Sequence, residues 1–113
     1  KVVLSASSKI PVMVFDEVDS GIGGPTADAV GVRLARMADG AQVLVVTHSP
    51  QVAAKANHHW IISKTDDDAG ATTTSVTPIT DENTRIDEIA RMVSGASMTD
   101  EARAAAKVLR SAA

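Results

Sequence analysis

A chain of 113 residues with 44% hydrophobic and 22% charged positions is sized for one soluble domain or part of a larger one, and that balance excludes a disordered tail. Cysteine is absent, which removes disulfides and thiolate zinc sites and leaves a cytoplasmic address as the expectation. A formal charge of −3 excludes a surface that is one continuous polyanion-binding patch, and no apolar run approaches the ~18–20 residues that cross a bilayer, so membrane contact is not expected and any DNA contact is local or made elsewhere in a longer protein.

Lys1 to Ala6 carries an apolar cluster with no capping residue ahead of it, so the sequence is expected to begin inside an element. Ile10 to Phe15 is nearly continuous apolar sequence ending in Asp16-Glu17, the pattern of a strand buried on both faces of a parallel sheet. Ser20-Gly21-Ile22-Gly23-Gly24-Pro25 is a glycine-rich turn. From Thr26, Ala27, Val30, Leu34, Met37 and Ala38 recur at helical spacing, with Pro25 suited to the first turn and Gly40 placed to stop the helix. Gln42 to Thr47 repeats the buried-strand pattern, and a strand, helix, strand order of this length predicts a right-handed crossover between parallel strands.

Pro50 to Asn57 reads as a short helix, and Trp60 to Lys64 as a further strand. Thr65 to Gly70 is a polar hairpin turn before a Thr-rich strand over Thr72 to Ile79. Ile86, Ile89, Ala90 and Val93 form one helical stripe that Gly95 breaks, and Thr99 or Ser97 is placed to cap an alanine-rich helix from Asp100 to Ser111. One Phe, one Trp and no Tyr leave a small core of aliphatic residues and alanine. The fold class expected is α/β.

Chemistry concentrates where the first buried strand ends. Two adjacent carboxylates at the mouth of a sheet point in different directions and can take different tasks, one toward a hydrated Mg²⁺ and one toward an attacking water. Alone, Asp16-Glu17 is as compatible with the plain end of a strand. Its context is Val18-Asp19-Ser20-Gly21-Ile22-Gly23-Gly24 directly downstream and Val45-Val46-Thr47-His48 at the end of the next strand. These three elements, in this order, resemble the Walker B strand, D-loop and switch histidine of the ABC-type ATPase heads of the SMC superfamily.

The resemblance implies Asp16 as the Mg²⁺ ligand, Glu17 as the catalytic base and His48 as the sensor of the terminal phosphate. It also implies Asp19, Ser20 and Gly21 as D-loop residues at the nucleotide seam. The longer composite, with Thr47-His48-Ser49-Pro50-Gln51-Val52-Ala53-Ala54, is similar to a branch of that superfamily that acts in DNA double-strand-break repair and recombination. Implied cofactors are ATP and Mg²⁺. Implied partners are DNA, through the longer protein, and a second copy of the head as a homodimer, with a cytoplasmic, nucleoid-associated location.

Other clusters carry blander readings. His58 and His59 are neighbours on an extended segment and face opposite ways, so they do not share a metal. Asp66-Asp67-Asp68 lacks the ligand spacing of a calcium loop and reads as a solvated turn. Gln51 reads as a structural residue, and Arg91, Arg103, Lys107 and Arg110, interspersed with acids, as a soluble face. No Gly-x-x-x-x-Gly-Lys-Ser/Thr sequence and no ABC signature motif occurs. The expectation is therefore a fragment, residues 1–113 forming the C-terminal lobe of a head whose N-terminal lobe supplies the P-loop, inactive alone. Two alternatives stay open: a Mg²⁺-dependent nuclease using Asp16, Glu17 and Asp19, and a non-catalytic dimerisation module.

Overall fold

The computed structural model describes residues 12–95 and 97–111. The expectation for Lys1 to Ala6, and the first two residues of the predicted opening strand, lie outside them. The described chain runs β1 (Val12–Asp16), α1 (Gly24–Met37), β2 (Gln42–Val46), α2 (Pro50–Ala53), β3 (Trp60–Asp66), β4 (Thr72–Pro78), α3 (Glu82–Ser94) and α4 (Asp100–Ser111).

β1 and β2 pair in parallel, from Val12 opposite Gln42 to Asp16 opposite Val46, with α1 as the crossover. Both strands therefore end at one edge, beside Glu17 and Thr47. Burial on both faces, however, is not what the ladder shows. Met13, Phe15, Val43 and Val45 are half-buried, whereas Val12, Val14, Leu44 and Val46 are between 40% and 64% exposed. Among the described residues this sheet has two strands and α1 as its one packed helix, which can cover only one face.

The helix α1 begins as its sequence dictates, with Pro25 in the first turn, and buries Ala27, Gly31 and Leu34. Gly31 is where α1 meets α2. A Cβ there would lie 2.9 Å from Lys55 Cγ and 3.2 Å from the Gln51 carbonyl oxygen, so only glycine lets the two helices approach this closely. Lys55, itself buried, reaches back to Asp28 at 3.1 Å. The short helix α2 ends at Ala53, four residues before the predicted Asn57, in a turn through Ala54 and Lys55.

The β3–β4 hairpin is antiparallel, with Trp60 opposite Pro78 and Asp66 opposite Thr72. Its turn is held by Asp67, whose Oδ1 accepts from the N–H groups of Ala69 and Ala71 at 3.0 and 2.8 Å, while Gly70 supplies the left-handed φ of 82°. β3 runs two residues further toward this turn than Lys64, and at its end the Asp66 carboxylate accepts from the Thr72 hydroxyl at 2.6 Å.

The main core lies between α3 and α4, where Ile86, Ile89, Ala90, Ala102 and Ala106 close around Ala54. Ile89 is fully buried, contributing roughly 1.5–3 kcal/mol as transferred apolar surface. Asp81 caps α3 through the Thr84 N–H and hydroxyl, and these bonds hold its carboxyl below the usual carboxylate range. Thr99, rather than Ser97, caps α4 through the Ala102 N–H. Val93, expected on the buried stripe, is 41% exposed because the stripe turns off the core in the last turn of α3.

Arg110 also departs from expectation. Instead of joining a solvated face, its Nη1 donates to the carbonyl oxygens of Ala54 and Ala56, at 2.8 and 3.1 Å, and its Nε to Glu82 at 3.1 Å. It satisfies carbonyls at the end of α2 that have left the helical ladder. The last helix is thereby tied to the segment that follows His48.

Candidate functional site

The backbone of β1 continues its ladder one residue past the strand, the Glu17 N–H donating to the Val46 carbonyl at 2.8 Å. There the chain leaves extended geometry abruptly. Glu17 has φ of 51°, and it is the one non-glycine residue at positive φ among those described. For an L-residue that region costs about 1–2 kcal/mol, a strain that recurs at functional positions. The Glu17 carbonyl accepts from the Ser20 N–H at 3.0 Å and the Asp19 carbonyl from Ile22 at 3.1 Å, with Gly21 at φ 77° completing the reversal.

The reversal separates the three acids. Asp16 is exposed at the strand's carboxyl end, with no hydrogen bond or ion pair among the described residues. Glu17 crosses toward the end of β2, where its Oε1 lies 3.2 Å from His48 Nδ1, both side chains more than half exposed. Asp19 turns inward and is 4% exposed. Its Oδ2 accepts from the Thr47 hydroxyl, and its buried Oδ1 has no partner among the described residues. Ser20 and Gly21 are exposed on the turn above it.

On the β2 side, His48 sits between two anchored hydroxyls. Thr47 Oγ1 accepts from the Ser49 N–H at 2.9 Å. Ser49 Oγ accepts from the Val52 N–H as the cap of α2 and donates to Gln51 Oε1 at 3.0 Å. Gln51 thus braces the cap, as its structural reading anticipated. Thr47, by contrast, was visible only as part of a strand end; the alternation of hydroxyl, imidazole and hydroxyl in Thr47-His48-Ser49 was the available signal.

One exposed carboxylate, one carboxylate paired to an imidazole and one buried carboxylate bonded to a hydroxyl give the three acids three different environments. The donor set at Asp16 suits a hydrated, largely solvent-coordinated Mg²⁺, which needs only one or two protein carboxylates. Among the described residues, no three His, Asp or Glu side chains converge as a metal cluster. A two-metal arrangement of Asp16, Glu17 and Asp19 is not assembled, because Asp19 faces the interior. His58 is exposed, and His59 is half-buried with no partner for Nδ1 among the described residues; burial first, and then the charge of Arg85, push the His59 pKa below its ordinary value.

No protein-family model matches the chain. It is 43% identical over 109 residues to the DNA repair protein RecN of Streptomyces coelicolor, covering 96% of this chain and 19% of that protein. It is also 50% identical over 97 residues to RecN of Xylella fastidiosa, covering 86% of this chain and 17% of that protein. Against RecN of Deinococcus radiodurans the identity is 53% over 85 residues, or 75% of this chain and 15% of that protein. The chain thus spans less than a fifth of the length of these curated relatives. Among solved structures, it shares its fold with an SMC ATPase studied for ATP-driven dimerization and DNA-stimulated activation, at a TM-score of 0.51 and 21% identity over 63% of this chain and 41% of that one.

Proposed function

We propose that this chain, a C-terminal segment of the RecN family, supplies the metal and water half of an ATP-hydrolysing head that acts in DNA double-strand-break repair. The observation that carries the reading is the Glu17–His48 pair, set across the carboxyl ends of two parallel strands with Glu17 held at positive φ. Open α/β sheets bind their ligands at such strand ends. An L-residue kept in a costly conformation there is supported by its surroundings for a reason other than stability.

In this reading Asp16 would hold a hydrated Mg²⁺, which would neutralise charge on the phosphates of the ATP substrate. Glu17 Oε1 accepts a proton from, and orients, the attacking water. His48, carrying a proton on both ring nitrogens, donates from Nδ1 to the Glu17 carboxylate and presents its other N–H to a phosphate oxygen. Ser20 and Gly21, exposed on the turn that the inward-facing Asp19 anchors, face a second head. A lobe bearing a P-loop cradles the phosphates, and the longer protein contacts DNA, in the cytoplasm at the nucleoid. ATP binding closes two heads on each other, and hydrolysis reopens them.

The test uses full-length protein carrying this segment. Glu17→Gln keeps the shape of the side chain and its contact with His48 but removes the base. It should lower turnover at least about a hundredfold, as loss of general-base catalysis does, while ATP binding persists and head dimers live longer. Turnover at the parental rate would remove Glu17 from the role given to it.

A further inference from the structure

We propose that Thr47 is a positioning residue that locks the Asp19 turn to the His48 loop and so fixes the distance between Glu17 and His48. The inference rests on the reading of Glu17 and His48 as the water- and phosphate-handling pair. It concerns a residue whose hydroxyl bonds to neither side chain.

Beyond the last ladder bond, from the Glu17 N–H to Val46, the loop after β1 and the loop after β2 are joined on their inner side by the Thr47 hydroxyl on Asp19 Oδ2. The partners are 28 positions apart in sequence, so this is a tertiary clasp and not local turn chemistry. Asp19 is nearly inaccessible, and Thr47 is the donor that reaches its carboxylate among the described residues. A buried carboxylate with a single donor depends heavily on that donor.

The clasp acts on both members of the pair. On one side, Asp19 belongs to the same hydrogen-bonded reversal as Glu17, whose carbonyl accepts from Ser20, so a displaced Asp19 carries the Glu17 backbone with it. On the other, Thr47 Oγ1 also accepts from the Ser49 N–H, spanning the backbone of His48. Ser49 is in turn spent on the cap of α2. His48 is thereby pinned on both flanks by inward-facing hydroxyls while its own ring, 77% exposed, faces Glu17 Oε1 at 3.2 Å. The Thr47 hydroxyl is therefore placed to convert a flexible loop-to-loop distance into a fixed one, which is what a near-attack geometry for water requires.

The test again uses full-length protein, with ATP turnover read as separate kcat and KM values. Thr47→Val keeps the volume and β-branching and removes the hydroxyl; it should lower kcat about tenfold or more with the ATP KM within about twofold, because ground-state binding is not what the clasp serves. Thr47→Ser restores the donor and should recover kcat to within about twofold of the parent. Thr47→Cys, a weak donor, should fall between them and gives a reading if the Val variant does not fold. Parental kcat in Thr47→Val or Thr47→Cys overturns the proposal, as does a Thr47→Ser variant no better than Thr47→Val or a loss confined to KM. Glu17→Gln measured alongside separates the two claims. An active Glu17→Gln overturns the site reading and this inference with it, whereas an inactive Glu17→Gln beside a fully active Thr47→Val overturns the inference alone.

Discussion

Replacing Gly31 by alanine probes the seat that holds α2, and with it the His48 loop, in place. An added Cβ would meet Lys55 Cγ at 2.9 Å, the Gln51 carbonyl oxygen at 3.2 Å and Val52 Cα at 3.3 Å. Two of these are backbone atoms of α2 and cannot rotate away. The third belongs to a buried lysine whose ammonium is held 3.1 Å from Asp28, one turn earlier on α1, so its stem is not free to swing either. Forcing a methyl into such a contact costs about 1–3 kcal/mol, against which alanine gains about 1 kcal/mol over glycine inside a helix. The balance is a loss of about 1 kcal/mol, or a melting midpoint lower by about 4 °C. Gly40→Ala is the control, since nothing lies within 4 Å of its added Cβ and its φ is not positive; it should be neutral or stabilising by about 0.5 kcal/mol. Urea and thermal midpoints of both variants against the parent give the comparison. If Gly31→Ala proves as stable as Gly40→Ala, the close approach of α1 and α2 is not what requires glycine, and the reasoning fails.

Two further outcomes follow from groups that tie the C-terminal helices to the rest. Arg110→Met keeps the apolar stem but removes the donors to the Ala54 and Ala56 carbonyls, and should cost about 1–3 kcal/mol, most of it from stranding the buried Ala54 oxygen. Urea denaturation at parental midpoint would show that those carbonyls find other partners, while Arg110→Lys should recover part of the loss. His59 gives an acid-side slope. Its folded pKa is depressed below the ordinary value of 6.5, chiefly by burial and then by Arg85, so the unfolded chain takes up the proton first and stability falls as pH drops below that value. Replacing His59 with Gln should flatten the midpoint's dependence as pH falls below about 6.5; an unchanged slope would place the titrating group elsewhere.

The order of elements and the location of the candidate site were legible in the sequence because each had a local cause. Alternation between apolar runs and an amphipathic helix gave β1, α1 and β2, and a parallel crossover necessarily brings the two strand ends, Asp16-Glu17 and Thr47-His48, to one edge. Capping of the last helix by Thr99 was likewise written locally, the bond running to an N–H three residues on, whereas the Asp81 cap of α3 was not anticipated.

What the tertiary structure decided are the consequences of contacts between distant segments. Sequence spacing placed Asp16, Glu17 and Asp19 together as three acids in four residues. Only the left-handed turn at Glu17 shows that one is exposed, one pairs with His48 and one is buried against Thr47. Among the described residues β1 is covered on one face only, because an apolar run reports affinity for cover, not which segments supply it. Arg110 looked like surface charge because an ion's partners are invisible until a carbonyl 54 or 56 positions away is brought beside it. The acidic strand end was thus fixed by local pattern, while the different surroundings of its carboxylates are a property of packing, where one φ angle and one hydroxyl separate groups that composition alone would treat as equivalent.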